Sequence, residues 1–186
     1  MNSTTDDDNL IHFLFASLED AYLRCMKKLT ITLLFVGLVI GCATTDGALA
    51  EIADAEPTPE LSPQEVVELQ LAAFRGNGEE DRGIGIAFRF ASPRNRLSTG
   101  PVERFAQMMR GPAYSAMLGY ESAEYAETVV RGRVAMQRVR LLFDDEIVTY
   151  DFFLIRQEGG RYDGCWMTEA VYVVGPDGES SQGLNV

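Results

Sequence analysis

Histidine is almost missing from this 186-residue chain; the only one is His12. Lysine is nearly as scarce, with Lys27 and Lys28 alone. Cysteine occurs three times, at positions 25, 42 and 165, and tryptophan once, at 166. From residue 42 onward there is no histidine and no lysine, and every basic residue is arginine. Each scarcity excludes something. Without histidine, that stretch lacks the most frequent general base, nucleophile partner and metal ligand. With Cys165 as the only thiol inside the domain, it can form no internal disulfide and no cysteine metal cluster. No metal, no cofactor and no catalytic residue is therefore expected. Long apolar runs are missing too. The run from Leu29 to Ile40 falls short of the roughly 20 residues that a membrane-spanning helix needs.

The charge is one-sided, at −12 overall. Three of the 16 basic residues (Arg24, Lys27, Lys28) and five of the 28 acidic ones precede Cys42. That leaves 13 arginines against 23 acids, a net charge of −10 for the rest. Such a domain is repelled by phosphate backbones, which disfavours nucleic-acid binding. Adhesion to anionic lipid through a basic patch is disfavoured likewise. Hydrophobic residues make up 46% of the chain, enough for a packed core.

Residues 26–41 have the layout of a secretory signal: two lysines, a short apolar stretch, and a small residue at its end. Val39-Ile40-Gly41-Cys42 resembles the bacterial lipobox. In that family of signals the cysteine is diacylated and becomes the new N-terminus. The resemblance implies lipid on Cys42 and a partner membrane reached through it. Ala43 follows where aspartate would otherwise stand, which resembles the Gram-negative default for transfer to the outer membrane, facing the periplasm. More than one acyl chain gives firm anchoring, since each buried methylene adds about 0.8 kcal/mol. Met26 is the expected initiator, and residues 1–25 are expected to be a start-site misassignment, because an acidic extension (Asp6, Asp7, Asp8) is at odds with a positively charged signal start. Residues 42–61 are small, acidic and proline-bearing and predict a lipidated flexible tether. Residues 175–186 predict a flexible tail.

Residues 62–174 predict one globular domain. Ser62-Pro63-Gln64-Glu65 is a capping box with proline at the first helical position. Val66, Val67, Gln70, Leu71 and Phe74 then give one face at helical spacing. A second helix is expected over residues 79–90, with Ile84, Ala87, Phe88 and Ala91 inward, ended by Ser92-Pro93. A third begins at Thr99-Gly100-Pro101 and carries Val102, Phe105, Met108 and Met109. Strands are expected over 121–127, 133–143, 146–157 and 161–174, with short turns that force antiparallel pairing. The class is α+β: three N-terminal helices packed on an antiparallel sheet of about four strands.

Several segments carry a resemblance. Glu68-Leu69-Gln70-Leu71-Ala72-Ala73-Phe74, Ala87-Phe88-Arg89-Phe90-Ala91-Ser92-Pro93 and Arg104-Phe105-Ala106-Gln107-Met108-Met109 look like the family called domain of unknown function 4864. So do Tyr114, Gln137-Arg138-Val139-Arg140-Leu141, Phe153-Leu154-Ile155-Arg156-Gln157 and Gly164-Cys165-Trp166-Met167. The resemblance spans about residues 62–173. That family is similar to the nuclear transport factor 2-like superfamily. This implies a cone: a strongly curved sheet wrapped around helices, often with an open pocket and often a homodimer. It implies no catalytic residues.

Few residues could do chemistry. The strand carboxylates are Asp151 and Glu169. Asp151 shares its strand face with Thr149 and Phe153, away from Tyr150, so Tyr150 and Asp151 form no dyad as neighbours. It is either a pocket acid or the partner of Arg138 or Arg140 on the neighbouring strand. Arg138 and Arg140 alternate with Val139 and Leu141, share one face, and are candidates for an anionic ligand. Trp166 is a candidate for stacking in a pocket and otherwise a core anchor. Cys165 reads as a buried apolar residue. Two function classes remain. One is a non-enzymatic envelope module that binds a small apolar ligand or a partner protein. The other is a pocket enzyme doing acid–base chemistry, of isomerase or dehydratase type. The missing histidine favours the first.

Overall fold

The computed structural model describes residues 45–175, with side chains from residue 49 onward. Residues 1–25, the expected signal peptide at 26–41, Cys42, and all of the expected tail except Gly175 lie outside the described residues. The described helices are α1 (Thr45–Ile52), α2 (Pro63–Arg75), α3 (Arg82–Arg89), α4 (Pro93–Thr99), α5 (Val102–Met109) and the single turn α6 (Ala116–Gly119). The strands are β1 (Ser122–Tyr125), β2 (Val129–Arg131), β3 (Val134–Phe143), β4 (Glu146–Arg156) and β5 (Trp166–Val174). Their order is β1-β3-β4-β5, with β2 also on β3, and every pairing is antiparallel. The class is α+β.

α2 forms as its sequence dictates. The Glu65 amide donates to Ser62 Oγ at 3.3 Å, and the Ser62 amide donates to Glu65 Oε2 at 2.7 Å. Two otherwise orphaned donors are thereby satisfied. Its buried face is the expected one: Val66, Val67, Gln70, Leu71 and Phe74. α3 lies against it at close range. A Cβ added at Gly83 would stand 2.0 Å from the Ala73 carbonyl oxygen, so only glycine lets the two backbones meet.

The helix count differs from expectation: six helices among the described residues, not three. Ser92-Pro93 does end α3, but the same pair starts α4. Ser92 Oγ accepts from the Asn95 amide at 3.0 Å, and proline takes the first helical position. This is the device that opens α2, and a helix stop cannot be told from a helix start by these two residues alone. α1 occupies part of the segment expected to be a tether. Ile52, Ala55 and Leu61 pack on the core, and Arg89 donates to the carbonyls of Ala53 (2.6 Å) and Ala55 (3.1 Å).

The sheet has five strands, not about four. β1 and β2 both pair with β3 but are separated by residues 126–128. Gln137, fully buried, fills the gap: its amide donates to Ala126 O at 2.7 Å, and its carbonyl oxygen is met by the Thr128 hydroxyl. A buried side-chain amide thus substitutes for the missing ladder bonds. The β3–β4 turn, Asp144-Asp145, has both residues at positive φ (53° and 62°), the hairpin conformation whose twist matches the strands. The expectation of a strongly curved, cone-like sheet is also corrected: the sheet is not strongly curled. Ten consecutive β3–β4 partners run without a break, and the only register shift lies between β4 and β5. Strong curvature needs several such irregularities.

One face of the sheet meets the helices. Val139, Leu141, Tyr150, Phe152 and Leu154 share a single core with Val66, Leu71, Ile84 and Phe90. Each such side chain stabilises the fold by about 1.5–3 kcal/mol relative to exposure. Among the described residues, no helix is long and apolar enough to cross a membrane.

Candidate functional site

A cavity of about 560 Å³ opens between β5, α4, α5 and the residues around Tyr114. It lies beside the register shift between β4 and β5. Leu154 pairs with Thr168 and Phe153 with Ala170, so Glu169 has no partner on β4. It is the extra residue of a β-bulge, which re-aims a side chain that would otherwise follow the alternation. β5 is also the last strand of the sheet. On its open side, Thr168 pairs with the end of α3: its amide donates to Phe90 O (2.9 Å), and its carbonyl accepts from the Ser92 amide (2.8 Å). Beyond Thr168 that side lines the cavity.

Glu169 lines the cavity with both oxygens engaged. Ser92 Oγ donates to Oε2 at 2.5 Å, and Arg94 Nε stands 3.2 Å from Oε1. Its side chain is 17% exposed. At the inner end, Thr168 Oγ1 donates to Gln70 Oε1 at 2.6 Å, and Gln70 Nε2 donates to Ala87 O at 3.0 Å. This buried chain joins β5, α2 and α3. Tyr114 donates its hydroxyl to Val171 O at 3.2 Å and stacks on Tyr150. Burial, and then the neighbouring Tyr172, push the Tyr114 hydroxyl above its usual pKa, which makes it a poorer acid. The apolar half of the lining comes from Phe74, Phe105, Met108, Met109, Met117 and Phe152.

The residues singled out from sequence lie elsewhere. Arg138 Nε and Nη2 donate to the two Asp151 carboxylate oxygens, both at 2.7 Å. The Asp151 side chain is 4% exposed and that of Arg138 39%. Of the alternatives left open for Asp151, the arginine pair is the one present. Arg140 donates to Glu124 on β1 at 3.2 Å. Trp166 is buried in the hydrophobic core and does not line the cavity. Cys165 is a buried free thiol, and burial, with Glu60 and Asp163 nearby, pushes its pKa up. No cluster of three metal-ligating side chains occurs among the described residues.

Of Asp151 and Glu169, the two carboxylates singled out from sequence, Glu169 is thus the one that lines the cavity. Gln70, Arg94, Arg104 and Tyr114 are site residues that sequence reasoning misses. No local signal marks them, because the cavity is made where distant segments meet.

A family model described as Domain of unknown function (DUF4864) matches residues 58–181. No curated protein and no solved structure matches the chain.

Proposed function

We infer that this chain, which belongs to the family described as Domain of unknown function (DUF4864), is a non-enzymatic small-ligand-binding domain carried on a lipid-anchored bacterial envelope protein. The observation that carries the binding reading is the cavity of about 560 Å³, half apolar and half polar, beside the β5 bulge. Its volume falls within the roughly 300–1,000 Å³ of small-molecule sites, which suits one small organic molecule. The anchoring reading rests on Lys27-Lys28, the apolar run after them and Val39-Ile40-Gly41-Cys42. It makes Cys42 the lipid attachment site and the outer membrane, facing the periplasm, the location. Kinship with the nuclear transport factor 2-like superfamily, with its frequent homodimers, belongs to the same proposal; helices on one face of an antiparallel sheet with an open pocket support it.

Glu169 in the cavity is the observation that would favour acid–base catalysis. Its oxygens, however, are held by Ser92 and Arg94, and the Tyr114 hydroxyl is spent on Val171 O. Both groups that could act as an acid–base pair beside Ser92 are thus engaged among the described residues, which supports the binding reading.

The test uses the full chain purified from its own membranes. Native mass spectrometry should show a non-covalent small-molecule adduct that Met108→Trp, which narrows the cavity, diminishes. Finding no adduct on either form would overturn the binding reading. Metabolic labelling with an alkynyl fatty acid should mark the wild-type chain and not Cys42→Ser; equal labelling of both would overturn the anchor.

A further inference from the structure

We propose that the cavity takes a small amphipathic anion, one apolar chain ending in a carboxylate or phosphate, with the charged end held by Arg104 and Gln107. This rests on the ligand-binding reading above and names its ligand class. The polar lining divides into committed and uncommitted groups. Gln70 and Thr168 bond to each other, and Asn95 Nδ2 donates to Thr168 O at 3.1 Å. The Ser98 and Thr99 hydroxyls donate to the carbonyls of Arg94 and Asn95 within their own helix. Glu169 is matched by Ser92 and Arg94. Three donors in the lining have no side-chain hydrogen bond or ion pair among the described residues: the Tyr172 hydroxyl on β5, and the Arg104 guanidinium and Gln107 amide on α5. Arg104 and Gln107 stand three residues apart on α5, so they lie on one helix face as neighbours.

The charges agree with this. The charged lining is Arg94, Arg104 and Glu169, and once Arg94 is matched to Glu169 one positive charge is left over. The chain as a whole carries −12, so a cationic rim here runs against the general field and is local. A guanidinium presents two parallel N–H donors, the fork that fits two oxygens of a carboxylate or phosphate. A cationic ligand would meet only Glu169, already paired. Phe105, Met108 and Met109 on the same helix supply the apolar wall behind the rim, and thioethers adapt to a flexible chain.

The test is calorimetric titration of the full chain in lipid nanodiscs, with empty nanodiscs as the blank. The probes share one tail: octanoate, octyl phosphate, octanol and octylammonium. The two anions should bind about tenfold or more tighter than octanol, with octylammonium weakest. Whichever anion binds more tightly names the head group as a free carboxylate or a phosphate. Arg104→Gln should bring both anions down to the octanol level and leave octanol unchanged. Among the described residues that side chain makes no hydrogen bond or ion pair, so the variant should fold, checked by Trp166 fluorescence. Raising salt should weaken the anions alone. If octanol binds as tightly as octanoate, or if Arg104→Gln leaves octanoate binding intact, the anion assignment is overturned while the pocket stands. If none of the four binds, the pocket reading falls with it.

Discussion

Thr168→Val isolates the buried polar chain under the cavity. The substitution keeps the side-chain shape and deletes one hydroxyl, the donor to Gln70 Oε1 at 2.6 Å. Both side chains are almost fully buried at the inner end of the cavity, so Gln70 Oε1 loses its side-chain donor. An orphaned buried acceptor costs about 1–3 kcal/mol, and the added methyl group returns at most about 0.8 kcal/mol. Taking the middle of that cost, about 2 kcal/mol, the expected net loss is about 1–2 kcal/mol. For a domain of this size, each kcal/mol lowers Tm by about 3–5 °C. Thermal unfolding followed by Trp166 emission should therefore show a fall of about 3–10 °C. Gln70→Leu alone should be destabilising as well, because Thr168 then holds an unmatched hydroxyl. Ala87 O is not orphaned in that variant, since it still accepts from the Phe90 amide at 3.1 Å. The double variant removes donor and acceptor together and leaves nothing unsatisfied. It should sit about 1–3 kcal/mol above the sum of the two single losses. A Thr168→Val protein with wild-type Tm, or strict additivity in the double variant, would refute the reasoning.

Gly83→Ala and Gly85→Ala form a matched pair in one helix. The first forces a Cβ to within 2.0 Å of a carbonyl oxygen and should cost about 1–3 kcal/mol; the second meets nothing within 4 Å and should stabilise by about 0.5–1 kcal/mol, both read by urea unfolding. Asp81 has its pKa lowered, first by the hydrogen bond from Arg110 and then, against burial, by Asn77. A depressed folded-state pKa means stability that is present above the ordinary carboxylate range and lost as pH falls through the folded value. Asp81→Asn, which tolerates the positive φ of 56°, should thus lower Tm at pH 7 and flatten its fall below about pH 4; an unchanged acid slope would contradict this. Cys165 should react with a thiol reagent at pH 8 only after denaturation, because burial raises its pKa and blocks access. Rapid labelling of the native chain would disprove the burial.

The legible parts of the fold are those built from near neighbours. The α2 capping box spans four residues, and its buried stripe repeats every three or four, so one segment contains the whole signal. The Asp144-Asp145 turn is equally local. The difficulties begin where a residue answers to a distant one. Ser92-Pro93 reads as an end and is also a beginning, because its role is set by the segments that pack beside it. β2 is a separate strand because Gln137, more than eight residues on, ties down residues 126–128. From the sequence Arg138 and Arg140 are candidates for an anionic ligand, or one of them for the partner of Asp151. Strand register gives one to Asp151 and the other to Glu124.

The sequence by itself determined which residue types the domain carries. Beyond Cys42 there is no histidine, no lysine and no thiol other than Cys165, and composition needs no coordinates to show it. It also determined the α+β class, because hydrophobic period changes from helical to alternating along the chain. Only the tertiary structure decided where a ligand could go. The cavity lies beside the place where β5 slips by one residue against β4, and Glu169 at that slip lines it while Asp151 is paired with Arg138. A bulge is a relation between two strands, and neither strand's residues record it alone.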